Sequence, residues 1–157
     1  MHIYFSTNAI PAENWERIHE YLDEFEGEIG LEIFPEYHKP CFEGALRKEL
    51  AYLEQMPCSL HGPYYESEYA VAGDSEEFRH SVELLRKTLE EVAPLHVSYM
   101  VYHHSNMVIR EEEKAQRLAY ARENYETVRK ICEEYGVPPV VENVTLGTLH
   151  KGLFSQE

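Results

Sequence analysis

Cysteine is scarce in this sequence, and the few cysteines present are scattered. The chain has 3 of them, Cys41, Cys58 and Cys132, and no two are spaced as C-x-x-C. Their odd number disfavours a framework of disulfide bonds, and the missing C-x-x-C spacing disfavours a cysteine-ligated zinc site. A chain of this kind suits a reducing compartment, so we expect a cytoplasmic protein.

Positive charge and long apolar runs are scarce as well. Lys and Arg number 14 against 29 Asp and Glu, which gives a formal net charge of −15 with histidine neutral. Phosphate backbones usually bind to clusters of basic residues, so we expect no nucleic-acid partner. No apolar run approaches the roughly 20 residues of a membrane-spanning helix, and Met1–Ala9 is too short and polar for a secretory signal. We therefore expect no membrane partner.

The apolar residues that are present suffice for a folded core. They make up 43% of the 157 residues. A chain of about 100–200 residues usually forms one domain. No linker or low-complexity stretch divides the sequence, so we predict a single domain over residues 1–157.

Short apolar segments alternate with amphipathic helical patterns along the chain. The predicted strands are Ile3–Phe5, Gly30–Phe34, Cys58–Leu60, His96–Tyr102 and Val137–Val141. The predicted helices are Pro11–Phe25, Phe42–Met56, Asp74–Val92 and Glu111–Tyr135. Asp74 and Glu77 form a D-x-x-E start that is similar to a capping box. The residues Val144–Glu157 indicate a loop and the beginning of a fifth helix.

This alternation predicts an α/β fold with a parallel sheet and right-handed crossovers. Two arrangements of the five strands are consistent with this alternation. The five strands form either an open doubly wound sheet or the first part of a TIM-type (β/α) barrel. A complete barrel typically needs about 250 residues, more than this chain has. We therefore expect a partial TIM-type barrel of about five parallel strands, incomplete at the C-terminus, with the open doubly wound sheet as the alternative.

Polar side chains collect where the predicted strands end, which is where parallel α/β folds place their active sites. The third, fourth and fifth strands are followed by His61, by His103-His104 and by Glu142, respectively. Neutral imidazole and carboxylate groups are ligands that divalent metal ions use in proteins. The sequence therefore indicates a metal site at this rim.

Each of these residues also has an ordinary structural explanation. A single histidine such as His61 is more often a hydrogen-bonded structural residue. The rings of His103 and His104 should face opposite sides of their strand, so at most one enters the site. Glu142 ends an apolar strand, where an unpaired carboxylate is costly to bury, and this favours a function. Glu32 could serve the site or pair with an arginine.

Three motifs at these strand ends resemble a known superfamily. Ser59–Tyr64, read as S-L-H-G-P-Y, is similar to an S-x-H-x-P-Y turn after a third strand. Val101–Ser105 is similar to a V-x-H-P-G ending in which His104 replaces proline, and Val141–Asn143 is similar to an E-N ending. These are motifs of the xylose isomerase-like TIM barrels, which include sugar-phosphate isomerases/epimerases and the apurinic endonuclease family. The resemblance covers essentially the whole chain and the first five of the eight βα units.

The resemblance implies a divalent metal ion, Mn, Mg, Co or Zn, with Glu142 as a ligand in both branches of the superfamily. His61 and His103 match metal ligands in the endonuclease branch and pocket residues near the substrate in many isomerase branches, and we expect both to contribute to the metal site. Catalytic roles are implied for Glu142 and His61. From their positions at or beside the predicted strand ends, we expect substrate contacts by Glu32, Tyr64, His103 and Asn143. The remaining family ligands, on later strands, have no counterpart in this sequence, so we expect weak metal binding.

The leading hypothesis is a metal-dependent sugar or sugar-phosphate isomerase/epimerase-like protein that is incomplete as this chain. A metal-dependent phosphodiesterase of the apurinic endonuclease type is one alternative, which the acidic net charge disfavours. A non-catalytic half-barrel or binding module that depends on a partner is another. Open parallel sheet edges invite pairing with a further chain, so a homo-oligomer is an expected partner state.

Overall fold

The computed structural model describes residues 3–25 and 29–142, and the backbone of two short strands beyond them. The main strands are β1 Ile3–Ser6, β2 Ile29–Ile33, β3 Cys58–His61, β4 Val97–Tyr102 and β5 Pro139–Val141. The α-helices are α1 Ile18–Glu24, α2 Phe42–Leu53, α3 Glu76–Val92 and α4 Lys114–Glu134. The predicted alternation of strands and helices is confirmed.

The five strands form one parallel sheet in the order β1-β2-β3-β4-β5. A doubly wound sheet has a point at which the strand order reverses. No reversal occurs among these five strands, so the alternative of an open doubly wound sheet is wrong. Consecutive parallel strands joined by right-handed crossovers place their helices on one face of the sheet, which is the arrangement of a TIM-type barrel wall.

Alternate strand residues build the core between the sheet and the helices. Leu31 and Ile33 of β2 and Leu60 of β3 are fully buried in one apolar cluster that includes Leu46 of α2 and Leu85 of α3. Because side chains alternate along a strand, the residues between them point to the opposite face. That face carries Glu32 of β2 and Ser59 and His61 of β3, and the predicted site residues lie at its carboxyl rim.

The first helix begins later than the sequence predicts. Pro11 is followed by the 3-10 segment Ala12–Arg17, in which Asn14 has non-helical dihedral angles, and α1 starts only at Ile18. The acidic run Glu111–Glu113 is likewise a 3-10 turn that leads into α4. No helix in the described part of the chain combines the length and apolar character needed to cross a membrane.

Ser75, and not Asp74, caps α3. Its hydroxyl accepts a hydrogen bond from the backbone N–H of Phe78 at 3.1 Å. Ser75 has an extended backbone, which places its side-chain oxygen over the free N–H groups of the first turn. The predicted D-x-x-E start is therefore wrong by one residue.

The sequence also predicts the beginning of a fifth helix after Val144. This prediction is wrong for the residues that the structure describes there. Strand β6, Thr145–Leu146, pairs antiparallel with strand β7, His150–Lys151. The segment is rich in threonine and glycine, which are poor helix formers. A short extended pairing is therefore the better local structure.

The cysteine thiols differ in exposure. Burial raises the pKa of Cys58 to about 11 and that of Cys132 to about 12. Both thiols therefore stay protonated near neutral pH and behave as small apolar groups. Cys41 is exposed. Cys58 is fully buried in the apolar core.

Candidate functional site

Three predicted site residues come together at the carboxyl rim of the sheet. His61 ends β3, His103 directly follows β4, and Glu142 directly follows β5. One ligand atom from each lies within 4.8 Å of the others. His103 Nε2 and Glu142 Oε2 are 2.5 Å apart. The backbone N–H of Glu142 donates to the carbonyl of Tyr102 at 3.1 Å, which anchors this end of the cluster to β4.

The ring of His61 is oriented by the main chain of the residue that follows it. His61 Nδ1 lies 2.7 Å from the carbonyl oxygen of Gly62. A carbonyl can only accept, so Nδ1 carries the proton and donates, and Nε2 keeps its lone pair. Gly62 itself donates its N–H to the carbonyl of Val101 at 2.8 Å. A Cβ at Gly62 would lie 2.9 Å from that carbonyl oxygen, so glycine permits this close approach of β3 and β4.

The ring of His103 is oriented by an asparagine side chain. Asn106 Nδ2 donates to the carbonyl of Tyr64 at 2.9 Å, which fixes the direction of the amide. Asn106 Oδ1 then accepts from His103 Nδ1 at 3.1 Å. Both imidazoles therefore turn Nε2 toward the interior of the cluster. A histidine whose other ring nitrogen donates to a protein oxygen is the usual arrangement of a metal ligand.

Burial keeps His61 in the neutral form that a metal ligand needs. Desolvation lowers the pKa of His61, and the neighbouring His103 lowers it further. The Gly62 carbonyl and the carboxylates of Glu32 and Glu142 act in the opposite direction without overcoming the effect of burial. The Glu142 side chain is 55% exposed, so the cluster opens to solvent on that side.

His104 lies on the other side of β4, as the alternation of side chains predicts. It lines a cavity of about 190 Å³ against α4, together with Tyr102, Tyr125 and Val141. Burial lowers the pKa of His104 to about 4, so it is neutral at ordinary pH. Only His103 of the adjacent pair belongs to the cluster.

Aromatic rings border the cluster on the side of β2. Phe34 packs against His61 with ring centroids 4.4 Å apart. Tyr64 packs edge-on against His103 at 5.5 Å and Tyr65 at 5.3 Å. Sequence reasoning gave Tyr64 a role in the site, whereas it placed Phe34 at the carboxyl end of the second strand without a role. A substrate contact by Tyr64 stays a prediction.

The other predicted site residues are placed differently. Glu32 is half-buried on the same face of the sheet as His61, and it belongs to no arginine ion pair in residues 3–25 and 29–142. It is not a member of the three-residue cluster. Asn143 lies outside the described residues. The roles assigned to Glu142, His61, His103 and Glu32 stay predictions.

Glu68 also belongs to this region, and sequence reasoning missed it. It lies in the loop after β3, where it is 7% exposed. Its carboxylate accepts from the hydroxyl of Ser105 at 3.0 Å and from the backbone N–H of Asn106 at 3.3 Å. The long loop that follows Tyr64 carried no periodic pattern from which a buried carboxylate could be inferred.

Comparison with known proteins gives structural matches only. No protein-family model matches the chain, and no curated protein sequence matches it. A D-tagatose 3-epimerase-like protein matches with a TM-score of 0.71 and 16% identity over 97% of this chain and 56% of its own. A candidate sugar phosphate isomerase/epimerase from Anabaena variabilis matches with a TM-score of 0.66 and 15% identity over 92% of this chain and 54% of its own.

A third solved structure is a Thermus thermophilus protein soaked with zinc chloride. It matches with a TM-score of 0.63 and 19% identity over 89% of this chain and 54% of its own. The chain thus spans about half the length of the solved structures that it matches. The predicted fold is confirmed: the chain has an α/β fold with five parallel strands that corresponds to about half of each matched structure.

Proposed function

We propose that this part of a xylose isomerase-like barrel binds a divalent metal ion through His61, His103 and Glu142 and serves carbohydrate isomerase or epimerase chemistry. The observation that carries the proposal is the convergence of three ligand atoms within 4.8 Å, at the ends of three consecutive strands. Two solved structures of the same fold are described as D-tagatose 3-epimerase-like and as a candidate sugar phosphate isomerase/epimerase. Their descriptions support the choice of substrate class.

The donor set fits a metal ion. Two imidazole nitrogens and one carboxylate oxygen suit Zn²⁺, Co²⁺ or Mn²⁺ better than Mg²⁺, which prefers oxygen ligands. Three protein ligands leave at least one coordination position for substrate or water. When bound, the ion polarises the carbonyl and hydroxyl oxygens of a sugar as a Lewis acid. Because few ligands are present, binding is expected to be weak.

The surrounding residues suit a polyol substrate. Phe34 and Tyr64 offer apolar ring surface beside the two histidines. The carboxylate of Glu32 faces the same side as His61 and can accept hydrogen bonds from sugar hydroxyls. The acidic net charge of −15 favours such a neutral ligand over a polyanion.

The His-His-Glu cluster also favours a second candidate, a metal-dependent phosphodiesterase of the apurinic endonuclease type. One experiment separates the two candidates. The chain is titrated at low salt, in the presence of Mn²⁺ or Co²⁺, with ketohexoses and, separately, with a duplex that contains an abasic site. We expect millimolar sugar binding that requires metal and no tight binding of the duplex. Tight, salt-sensitive duplex binding would instead favour the phosphodiesterase. No ligand response from either titration would contradict both.

We further propose that the sheet edges pair with another copy of the chain. Ile3 on β1 is 66% exposed, and Val140 and Val141 on β5 are 50% and 47% exposed. Exposed apolar side chains on parallel edge strands favour pairing with a further strand. We expect sedimentation equilibrium to show self-association that Val140→Lys weakens, with the exposed helix variant Glu83→Lys as the control. A monomer at all concentrations would contradict this proposal.

A further inference from the structure

A buried carboxylate connects the loop after β3 to the loop after β4. Glu68 Oε1 accepts from the backbone N–H of Ala70 at 3.0 Å, within its own loop. Glu68 Oε2 accepts from the hydroxyl of Ser105 at 3.0 Å and from the backbone N–H of Asn106 at 3.3 Å, in the other loop. The two oxygens of one side chain therefore hold the two loops together.

The second of these loops carries the group that orients His103. The backbone of Asn106 is held by Glu68, and its side-chain amide donates to the carbonyl of Tyr64. With both ends fixed, Asn106 Oδ1 lies 3.1 Å from His103 Nδ1. The ring in turn presents Nε2 to Glu142. Hydrogen bonds on the backbone and the side chain of Asn106 thus connect Glu68 to His103 Nδ1, the ring nitrogen opposite the inward-facing Nε2.

The burial of Glu68 is costly, which argues against a role in packing alone. Desolvation raises the pKa of Glu68, against the opposing effects of its hydrogen bonds and of Arg117. Arg117 donates to the carbonyl of Ala70 at 2.9 Å and makes no ion pair with Glu68 within the described ranges. A buried carboxylate without a close cation depends on the donors around it, and here those donors belong to the loops of the site.

We propose that Glu68 is a positioning residue that sets the direction of the His103 ring through Ser105 and Asn106. The proposal rests on the proposed metal site for its functional meaning, although the ring orientation itself can be measured without a metal. Glutamine at this position keeps the shape of the side chain. Its amide cannot accept on both sides, however, so either Ala70 or Asn106 loses its acceptor.

Two measurements on Glu68→Gln test the proposal. The first is the ¹⁵N shift pair of the His103 ring in the metal-free protein, which reports whether Nδ1 carries the proton. We expect Nδ1 to be protonated in the wild type, where it donates to Asn106 Oδ1, and to lose this proton in part of the variant molecules. Nε2 is not diagnostic, because it faces the acceptor oxygen of Glu142 at 2.5 Å. The second is Co²⁺ affinity from visible absorption. We expect it to fall about 10-fold, as is usual for partners one step removed from the ligands, with an altered absorption band.

Glu49→Gln is the matched control. Glu49 is also a buried carboxylate, 5% exposed, and it pairs with His19 at 2.6 Å on the helical side of the sheet. Its variant should leave the His103 shifts and the Co²⁺ affinity unchanged. Ser105→Ala provides a milder test if Glu68→Gln is poorly folded, because it removes one donor to Glu68 and should move both readouts in the same direction.

The outcomes test the positioning role of Glu68 separately from the proposed metal site. If the wild type binds no Co²⁺ but Glu68→Gln still changes the His103 shifts, the metal proposal fails and the positioning role stands. If Co²⁺ binds and folded Glu68→Gln matches the wild type in both shifts and affinity, the positioning role is overturned. The same holds if Glu49→Gln changes both readouts as much as Glu68→Gln does.

Discussion

Replacing Glu142 with alanine is expected to lower the affinity of the chain for Co²⁺ by at least about 100-fold, more than the 10–100-fold loss typical of residues behind the ligands. Glu142 supplies the one carboxylate of the cluster, and its oxygen is 2.5 Å from His103 Nε2. His103→Ala should have a comparable effect because it removes one of only two nitrogens. Visible absorption of Co²⁺ and competition with Zn²⁺ measure both changes.

The folded state is not expected to depend on Glu142 to the same degree. Its side chain is 55% exposed, so the circular dichroism of Glu142→Ala should match that of the wild type. His80→Ala and Glu83→Ala, two positions on α3 away from the cluster, serve as controls for the mere loss of a histidine or a carboxylate. If Glu142→Ala binds Co²⁺ as tightly as these controls, the proposed site is wrong.

Replacing Gly62 with alanine is expected to lower both stability and metal affinity. The added Cβ would lie 2.9 Å from the carbonyl oxygen of Val101, which is backbone and cannot swing aside. Relief of this contact must separate the end of β3 from β4 and disturb the hydrogen bond from His61 to the Gly62 carbonyl. We expect a loss of about 1–3 kcal/mol in the free energy of unfolding and about 10-fold weaker Co²⁺ binding.

Two further glycines separate these effects. Gly44, within α2, has no atom within 4 Å of an added Cβ, so Gly44→Ala should stabilise the protein by about 0.5–1 kcal/mol. An added Cβ at Gly30 would meet the carbonyl of Pro57 at 2.5 Å, at the other end of the sheet from the site. Gly30→Ala should therefore destabilise the chain without weakening Co²⁺ binding by folded molecules. Equal losses of affinity in Gly30→Ala and Gly62→Ala would contradict the special role of Gly62.

The sheet and the three-residue cluster could be predicted because both follow from local pattern. Apolar segments with helical stretches between them imply parallel neighbours, and the carboxyl ends of parallel strands share one rim. The positions of His61, His103 and Glu142 in sequence were therefore enough to expect their proximity. Their burial, their tautomers and the open side at Glu142 depend on packing that no periodicity encodes.

The residues that orient the site could not be predicted for the same reason. Glu68 and Asn106 lie in irregular loops, and their partners are set by how two loops meet in space. The sequence predicted Asp74 as the cap of α3, whereas the extended backbone at Ser75 gives that role to Ser75. The sequence pattern thus identified the three residues of the cluster, whereas the contacts that orient their side chains required the structure.

The consecutive order of the strands determines which part of the sheet unfolds first. Among the residues that the structure describes, each of the five strands pairs only with its neighbours in the chain, as the units of a solenoid do. In such a linear array the middle is protected from both sides, and the two ends fray first. The three-residue cluster extends from the middle of the sheet to its edge. His61 ends the central strand β3, and Glu142 follows the edge strand β5. A cation bound by both residues would link β3, β4 and β5. Its binding would therefore increase the protection of the β5 amides against hydrogen exchange.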